Sequence, residues 1–466
     1  MSFCRGWGMR EVLVKTEEFK DSPVGRIPKD WSCLTINDCL REGIIIDVQD
    51  GNHGEAHPKT DDFVTEGIPF VMAKDLVNGQ INIADCHKIT WHQYQSLRIG
   101  FAHPRDILLS HKGTIGLTAI VPNSLPDVML TPQVTYYRVA EGKQLLGKFL
   151  FWFFQSPLFQ HKLQILSAQS TRSYIGITLQ KTLLILIPHI DEQKNIAEIL
   201  DTVDEAIART SSLITKLKQT KAGLLQDLLT RGLDEDGKLR DPEAHPEQFK
   251  DLALGRIPQK WTVKEFGEYI AHLDSGWSPI CEAEPVANGE WGVLKTTAVV
   301  WSGYNPSESK KLPSNLEPRY SAVVETDDIL ITRKGPRERV GVVVHIPSTP
   351  ANLMMPDTVF RVRLKESSPL LPAFIPLTLG SIAVQQDWNR KKVGLAEAQV
   401  DINYGIVRET IIYIPPKSEQ KYIIQILNTY DTRIRTEEAY LNKLKLQKQG
   451  LMQDLLTGKV RLNSIK

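Results

Sequence analysis

Hydrophobic residues recur at alternating steps of four and three positions in two long stretches of this chain, one in each half. This spacing is the heptad pattern of a helix with one apolar face. The apolar members of the first series are Ile196, Leu200, Val203, Ile207, Ile214, Leu217, Leu224 and Leu228. Those of the second series are Ile423, Leu427, Tyr430, Ile434, Leu441, Leu444, Leu451 and Leu455. The pattern predicts two long helices, over residues 189–231 and 415–458.

The residues that flank the two series fit the ends of helices. Pro188 and Pro415 stand at the predicted starts, where proline is tolerated because the first turn has no use for its missing N–H. Gly232 and Gly458 follow the last turns, as glycine stops often do. No proline interrupts either series, so each helix is predicted to be continuous.

Two equal seams in one chain can pack against each other as a coiled coil, because each is available to the other at high effective concentration. Polar residues interrupt both seams at equivalent positions, which restricts the register. They are Thr210 and Lys221 in the first seam, and Glu437 and Lys448 in the second. The linker over residues 232–254 is polar and rich in turn formers, which favours an antiparallel pair. The alternative is that each helix is a solvated arm of its own domain.

Short strand patterns and a helical patch recur before each long helix. In the first half, strands are predicted at residues 107–109, 118–121, 134–139 and 183–187, with a helical patch at 145–166. In the second half they are predicted at residues 329–331, 342–344, 359–364 and 411–414, with a helical patch at 371–388. The chain is therefore predicted to be an α+β protein, in which two mixed α/β domains are joined by two long helices that form an antiparallel coiled coil.

The chain contains one frame twice. Residues 19–31 and 249–261 both read F-K-D and then G-R-I-P-x-x-W, and residues 190–230 align without gaps to residues 417–457, with 20 of 41 positions identical. The inserts between these repeats barely resemble each other. The predicted plan is an N-terminal extension (1–18), a first domain (19–188), a first helix (189–231), a linker (232–254), a second domain (255–414), a second helix (415–458) and a tail (459–466). Two inserts in one frame indicate a protein that reads two different targets.

Composition narrows the function classes only slightly. The formal net charge is +1, so a surface that binds nucleic acid must be local rather than global. The five cysteines are scattered and form no C-x-x-C motif, which fits a reducing compartment. The longest apolar run, residues 145–154, is far too short to span a bilayer. The expectation is a cytoplasmic protein without a membrane segment, whose start is either Met1 or Met9.

Polar, glycine-punctuated loops carry the candidate contacts with nucleic acid. Glycine lets a backbone approach a ligand closely, while arginine and lysine contact phosphates and arginine also pairs with guanine edges. The candidates in the first insert are Asn52, His53, His111, Lys112, Thr114, Arg172 and Tyr174. Those in the second insert are Arg333, Lys334, Arg337, Arg339, Arg390, Lys391 and Lys392. For each set the alternative is a solvated turn that touches no ligand.

Motifs of catalysis and metal binding do not support chemistry by this chain. The only Pro-Pro pair, Pro415-Pro416, opens the second helix and lacks the N/D-P-P-Y/F context of an adenine methylase. Neither a G-x-G-x-x-G nor a G-x-x-x-x-G-K-S/T motif occurs. His53 and His57 lie in a glycine loop without a fixed helical face, so no metal site is predicted. The prediction is a chain with no catalytic residue and no bound cofactor.

The repeated motifs resemble the specificity subunits of type I restriction–modification enzymes. The resemblance rests on the G-R-I-P-x-x-W entries, on E-Q-K near the start of each long helix (residues 192–194 and 419–421), and on the similar helix ends at residues 224–230 and 451–457. These motifs are specific in combination and together span nearly the whole chain. Residues 50–54 and 67–70 in the first insert also resemble parts of the family's target-recognition domains, as do residues 275–279 and 291–295 in the second.

The resemblance implies a reader of DNA sequence without catalytic activity. Each recognition domain would bind one half of a split, asymmetric site in double-stranded DNA, and the two helices would space the halves. Two adenine-methyltransferase subunits would dock on this scaffold and bring S-adenosylmethionine, while restriction subunits would bring ATP and Mg. A coiled-coil scaffold that assembles proteins without reading DNA is the alternative from another class.

Overall fold

The computed structural model describes residues 11–16, 18–53, 57–125, 127–168, 173–252, 255–281, 284, 286–287, 289–396 and 399–464. Contacts within the chain divide it into two compact units. Unit 1 takes the chain up to Ser211 and again from Ala439 onwards, and unit 2 is Ser212–Glu438. Each unit therefore holds one insert and a part of each long helix. The domain limits drawn from the sequence stay predictions.

The two long helices confirm the heptad interpretation. The first long helix is Ile190–Thr230 and the second is Lys417–Leu455. Their ends lie within three residues of the predicted ends. Every predicted seam residue is buried or half-buried in the structure. A stripe of apolar residues on an otherwise polar helix is thus covered along the whole series, as a stable surface helix requires.

In unit 1, the start of the first long helix lies beside the end of the second. Ile196 and Leu200 share one apolar cluster with Met452 and Leu455. The helices therefore run in opposite directions in this unit. A single ion pair, between Asp204 and Lys448, joins the two helices near this cluster; no other cross-helix ion pair is found among the residues of unit 1 that the structure describes.

In unit 2, the end of the first long helix lies beside the start of the second. Leu228 packs in one cluster with Ile423 and Leu427, and Lys221 pairs with Asp431. The direction is again antiparallel, and the ion pair joins the residues equivalent to Lys448 and Asp204. The predicted direction of the pair thus agrees with the contacts inside each unit, while the knobs-into-holes packing of a coiled coil stays a prediction.

The repeated sequence motifs meet in space. The indole Nε1 of Trp31 donates to Glu192 at 3.0 Å, and that of Trp261 donates to Glu419 at 3.1 Å. All four side chains are buried. The tryptophan of G-R-I-P-x-x-W therefore docks on the glutamate of E-Q-K in both units, which explains why the two motifs recur together.

The glutamine of E-Q-K anchors the loop before the helical patch. Gln193 donates to the carbonyls of Gln144 and Pro188 and accepts from the N–H of Leu146. Gln420 makes the matching bonds with Pro369, Pro415 and Leu371. A buried side-chain amide that replaces backbone partners fixes the geometry of its loop. Each insert is thus tied to the first turn of its long helix.

A guanidinium completes the frame in each unit. Glu192 accepts from Arg461, and Glu419 accepts from Arg240 at 2.7 Å. Arg461 lies on the strand Val460–Ser464, which pairs antiparallel with the strand Glu11–Lys15. Residues of the predicted N-terminal extension and of the predicted tail therefore form one small sheet. No local sequence pattern indicates this pairing.

Two sheets form the body of unit 1. The larger sheet, which has the longer strands, consists of four antiparallel strands. Their order is Thr118–Ile120, Ile107–Ser110, Val134–Val139 and Ile45–Asp50. The second sheet has the order Phe101–Ala102, Val128–Leu130, Ile68–Val71 and His87–Ile89. Smaller pairs are Leu184–Ile187 with Ser32–Thr35, Phe19–Ser22 with Gly25–Pro28, and Leu76–Val77 with Gln80–Ile81. The strands predicted at residues 107–109, 118–121, 134–139 and 183–187 are confirmed within one residue.

Unit 2 repeats the larger sheet with the order Ile270–Ser275, Val359–Leu364, Ile329–Thr332 and Val343–His345. Its second sheet has the order Ser309–Lys311, Gly292–Leu294 and Leu353–Met354. A third sheet, which the sequence did not predict, joins Lys334–Gly335, Gln399–Asp401 and Val393–Ala396. Smaller pairs are Thr262–Glu265 with Ile411–Ile414, Phe249–Leu252 with Gly255–Pro258, and Val299–Val300 with Gly303–Tyr304.

Short helices cover the larger sheet in each unit. In unit 1 they are Ile36–Arg41, Gly147–Gln155, Pro157–Ala168 and Ile177–Gln180, while Trp91–Ser96 packs on the second sheet. In unit 2 they are Ile375–Leu379, Ile382–Lys391 and Tyr404–Arg408. The patches predicted at residues 145–166 and 371–388 are thus helical but are broken, because Pro157 and the Gly380-Ser381 pair begin new helices there. Aromatic side chains from Gly147–Gln155 fill the core of unit 1.

Candidate nucleic-acid interface

Three loops of unit 1 meet at His111, the residue that follows the strand Ile107–Ser110. Its Nδ1 lies 3.1 Å from the carbonyl oxygen of Ile175, and its Nε2 lies 3.7 Å from Asp50. The ring of Tyr174 stands 5.5 Å from the imidazole, centroid to centroid. The described parts of the loops predicted from sequence at residues 50–59, 110–116 and 170–174 are therefore neighbours in the fold.

Burial favours the neutral form of the His111 imidazole. Only 2% of the residue is exposed. Burial lowers the pKa of His111, and the nearby carboxylate of Asp50 and the carbonyl of Ile175 offset this only in part. A neutral ring whose Nδ1–H donates to Ile175 offers Nε2 as an acceptor. Burial thus disfavours a positive charge on the ring at the centre of this site.

Asn52 lies deeper in this surface than its loop position indicates. Gly51 makes this possible, because a Cβ there would stand 2.0 Å from the carbonyl oxygen of Thr131. The backbone N–H of Asn52 donates to the carbonyl of Leu130 at 2.7 Å, and its side chain is buried. Its Nδ2 has no hydrogen-bond partner among the residues that the structure describes. His53, the next residue, is exposed.

The exposed candidates of unit 1 surround His111. Lys112 pairs with Tyr174 through the backbone, and Tyr174 is 42% exposed. Lys112 and Thr114 are both exposed. Arg172, also a candidate, lies outside the described residues. A cation, a hydroxyl and an aromatic ring around a buried polar pocket can contact phosphates and base edges together.

In unit 2 the equivalent position is Arg333, which is largely enclosed. Its guanidinium pairs with Asp401 at 3.1 Å and lies over the ring of Phe360, 4.7 Å from the centroid. Its side chain is 23% exposed. The ring of Tyr404 lies tilted against the same phenylalanine, 4.5 Å between centroids, and its hydroxyl donates to Ser275 at 3.3 Å. The arginine that the sequence placed on an open loop is thus held by its neighbours on several sides.

The remaining cations of unit 2 form one surface. Arg337 donates to the carbonyl of Asn389, and Lys392 donates to the carbonyl of Arg337 at 2.9 Å. The loop at residues 333–339 and the cluster at residues 390–392, separate in sequence, are therefore adjacent. Lys334 is exposed and Arg339 is half-buried.

The three residues of the second cluster are not equivalent to one another. Arg390 and Lys391 both approach Asp387, at 3.6 and 2.7 Å, and the side chain of Arg390 is 78% exposed. Lys392 is partly enclosed, and burial together with the charge of Arg337 lowers its pKa. Arg390 thus offers its charge to a ligand most freely, while Lys392 joins the two segments.

Sequence reasoning missed the partners that fix these cations. Asp401, Phe360 and Tyr404 did not stand out, because a single acid or aromatic residue carries no local signal. Asp401 reaches Arg333 only through the pairing of Lys334–Gly335 with Gln399–Asp401. A search for the residue equivalent to Tyr174 in the second half would have found Asp401.

The described residues contain no group of three or more histidine, cysteine, aspartate or glutamate side chains that could hold a metal ion. Among the helices they form, none is both long enough and apolar enough to cross a membrane.

The family follows from comparison with known proteins. The profile of the type I restriction modification DNA specificity domain matches residues 45–219 and again residues 262–446. The chain belongs to this family, and it contains the domain twice, once in each half of the sequence.

Relatives with similar sequences carry the same description. The EcoEI specificity subunit of Escherichia coli is 34% identical over 221 residues, which cover 47% of this chain and 36% of that subunit. The MjaVIII specificity subunit of Methanocaldococcus jannaschii is 22% identical over 97% of this chain and 98% of its own length. The crystal structure of the S subunit from M. genitalium has the same fold, with a TM-score of 0.54 at 16% identity, over 95% of this chain and 98% of that one.

Proposed function

We propose that this chain is the sequence-reading subunit of a type I restriction–modification system, and that each unit reads one half of a split, asymmetric site in double-stranded DNA. One observation carries the proposal. Equivalent positions in two matched frames hold a buried histidine, His111, and an ion-paired arginine, Arg333. A shared scaffold with unlike groups at the same place is what two unlike half-sites require.

Local charge supplies the contact with the phosphate backbone. Lys112 in unit 1 and Lys334 and Arg390 in unit 2 are exposed beside the pockets. The net charge of the chain is only +1, so these loops and the partner subunits together provide the electrostatic part of the affinity. Polar groups in the pockets then distinguish one base pair from another.

The chemistry belongs to partner subunits under this proposal. Two adenine-methyltransferase subunits bring S-adenosylmethionine, and restriction subunits bring ATP and Mg. This chain has no catalytic role of its own and works in the cytoplasm beside chromosomal DNA. The family membership and the absence of methylase and nucleotide-binding motifs from the sequence support this division.

Methylation mapping tests the proposal. The chain is expressed with its cognate methylase in a host that lacks adenine methylation, and the genome is read by long-read sequencing. The expected result is methylated adenine at one bipartite motif. The purified chain alone should neither methylate nor cut DNA. Absence of any motif in the presence of a folded complex would contradict the proposal.

The scaffold alternative predicts a different outcome in one further measurement. A footprint on DNA that contains the mapped motif distinguishes the two. Protection of both half-sites by the complex is expected if this chain reads DNA, and protection should be lost when either half-site is scrambled. A scaffold without DNA contact gives no protection that depends on either half-site.

A further inference from the structure

The residue that follows the strand Ile107–Ser110 in unit 1, or Ile329–Thr332 in unit 2, is held by the same backbone contacts in both units. In unit 1, the N–H of His111 donates to the carbonyl of Gln133, and the N–H of Ile175 donates to the carbonyl of His111, both at 2.9 Å. In unit 2, the backbone of Arg333 donates to Thr358 at 2.9 Å and accepts from Ile402 at 3.0 Å. Positions 111 and 333 are thus equivalent by their place after the strand and by their backbone hydrogen bonds.

The side chains on these matched backbones make different contacts with the next loop. His111 faces Tyr174 and Asp50 without a close ion pair. Arg333 pairs with Asp401, which occupies the place of Tyr174 because both residues immediately precede the backbone donor, Ile175 or Ile402. Each side chain therefore fixes its neighbouring loop by chemistry of its own.

Both units contain buried polar atoms at their candidate loops that have no hydrogen-bond partner among the described residues. In unit 1 these are Nε2 of His111 and Nδ2 of Asn52, and both residues are more than nine-tenths buried. In unit 2 they are Nε of Arg333 and Oδ1 of Asp401. None of the four has a hydrogen-bond partner among the described parts of the chain. Unpaired buried polar groups cost folding free energy, so their presence at both matched positions calls for a functional reason.

We propose that residues 111 and 333 are matched specificity-determining positions. Each acts as a positioning residue that sets, through the loop of Tyr174 or Asp401, which base pair its unit accepts at one position of its half-site. The proposal rests on the proposed function, because it requires that the units read DNA. The nearly complete burial of His111 assigns it a role through its neighbours rather than in direct contact with phosphate.

His111 in unit 1 and the Arg333–Asp401 ion pair in unit 2 are expected to discriminate between base pairs in different ways. His111 offers its unpaired Nε2 beside the loop of Tyr174, a group suited to orient that loop against a base edge without an ion pair. In unit 2 the Arg333 guanidinium holds the loop of Asp401 through an ion pair. The position of that loop therefore depends on the planar guanidinium group, which can bind a carboxylate with two N–H donors. Loss of either should relax one base position and leave the affinity for phosphate unchanged.

Variants of the full chain, assembled with the methylase subunits, test the inference by methylation mapping. His111→Gln should raise methylation of sites with a different base at one position of one half-motif by about tenfold. Arg333→Gln and Asp401→Asn should relax a single and identical position of the other half-motif. Arg333→Lys keeps the charge but lacks the planar fork, so it should relax the same position of that half-motif.

Matched controls separate this result from a general loss of stability. His189→Gln alters a histidine that is 72% exposed at the start of the first long helix, and Arg256→Gln alters an arginine that pairs with Asp251 on a hairpin of unit 2. Both should leave the motif unchanged. If Arg333→Gln does not unfold cooperatively, it is not folded like the wild-type chain and cannot test the inference. Asp401→Asn then provides the test, because it removes the charge and preserves the volume of the side chain.

Three results would overturn the inference. The first is an unchanged motif in folded His111→Gln and Asp401→Asn complexes. The second is uniform weakening at every position, which means a structural or phosphate role. The third is relaxation of different positions by Arg333→Gln and Asp401→Asn. A wild-type complex that methylates no bipartite motif would instead reject the proposed function, so the two failures are distinguishable.

Discussion

At the scale of the residue, exposure separates cations that the sequence treats alike. Arg333 and Lys334 are neighbours on one loop, and both are candidates for contact with DNA. The structure encloses Arg333 between Asp401 and Phe360 and leaves Lys334 exposed. An exposed lysine is a point charge suited to phosphate, whereas an enclosed, paired arginine orders the surface around it. The two residues therefore have different expected phenotypes.

Lys334→Ala should weaken binding to all DNA sequences equally. Loss of one phosphate contact lowers the slope of log affinity against log salt by about one. Binding isotherms of the assembled complex at several salt concentrations measure this slope, with specific and unrelated DNA.

Lys264→Ala is the matched control, because Lys264 is a partly exposed lysine on the strand Thr262–Glu265 that pairs with Glu268. An unchanged slope in Lys334→Ala, or a slope that falls equally in the control, would remove Lys334 from the phosphate contacts.

At the scale of the element, the two frames are built from the same parts but differ in how their buried charges are balanced. Glu419 accepts from Arg240 and Trp261, and Arg240 is only 10% exposed. Glu192 accepts from Arg461, but Arg461 also pairs with Asp30 at 2.8 Å. Removal of one glutamate charge therefore leaves a nearly buried cation unbalanced in unit 2 and a still-paired cation in unit 1.

Glu419→Gln should destabilise the protein more than Glu192→Gln. An uncompensated buried charge costs about 3 kcal/mol or more, whereas a weakened charge-assisted hydrogen bond costs about 1–2 kcal/mol. Urea unfolding followed by tryptophan fluorescence reports both changes, because Trp261 and Trp31 lie in the affected frames. Equal destabilisation by the two variants would contradict this account of the frames.

Ion pairs across the long helices provide a second test at this scale. Lys221→Asp should destabilise unit 2 by about 0.5–1 kcal/mol, since the pair with Asp431 is partly exposed. The double variant Lys221→Asp, Asp431→Lys should recover most of this loss, as measured by the same urea transition. The equivalent exchange of Asp204 and Lys448 in unit 1 serves as the parallel case. Failure of the second substitution to restore stability would show that the pair does not fix the register.

Periodic elements could be predicted from sequence, and pairings between distant segments could not. Val134–Val139, Val359–Leu364 and Ile411–Ile414 have the predicted bounds, because apolar runs between turn signals define them locally. The sheet that joins Lys334–Gly335 to Gln399–Asp401 depends on segments more than sixty residues apart. That sheet places Asp401 on Arg333, so the loops of the candidate interface were predicted but their chemical partners were not.

At the scale of the whole molecule, each long helix contributes residues to both units. We infer that the length of these helices sets the number of unread base pairs between the two half-sites. Duplex DNA rises about 3.4 Å per base pair and a helix about 1.5 Å per residue. Four added residues therefore correspond to roughly two base pairs, although they also rotate the seam by about 40° and create a stutter.

Matched insertions test the role of the helices in spacing. Four residues are inserted after Leu217 and four after Ile434, which lies between the residues that pair with Lys221 and Lys218. The methylated motif should keep both halves and gain about two unread base pairs. A single insertion after Leu217 is the control, since it leaves the seams unmatched and should lower stability. A folded, active complex with matched insertions and an unchanged gap would show that the helices do not set the spacing.

The central claim is that two matched frames carry two independent readers, and exchange of one insert tests it most directly. Residues 32–186 are replaced by the first insert of another family member, and the motif methylated by the assembled complex is mapped by long-read sequencing. The account predicts that one half of the motif changes to that of the donor, while the other half is retained. A change in both halves together, or in neither, would contradict it.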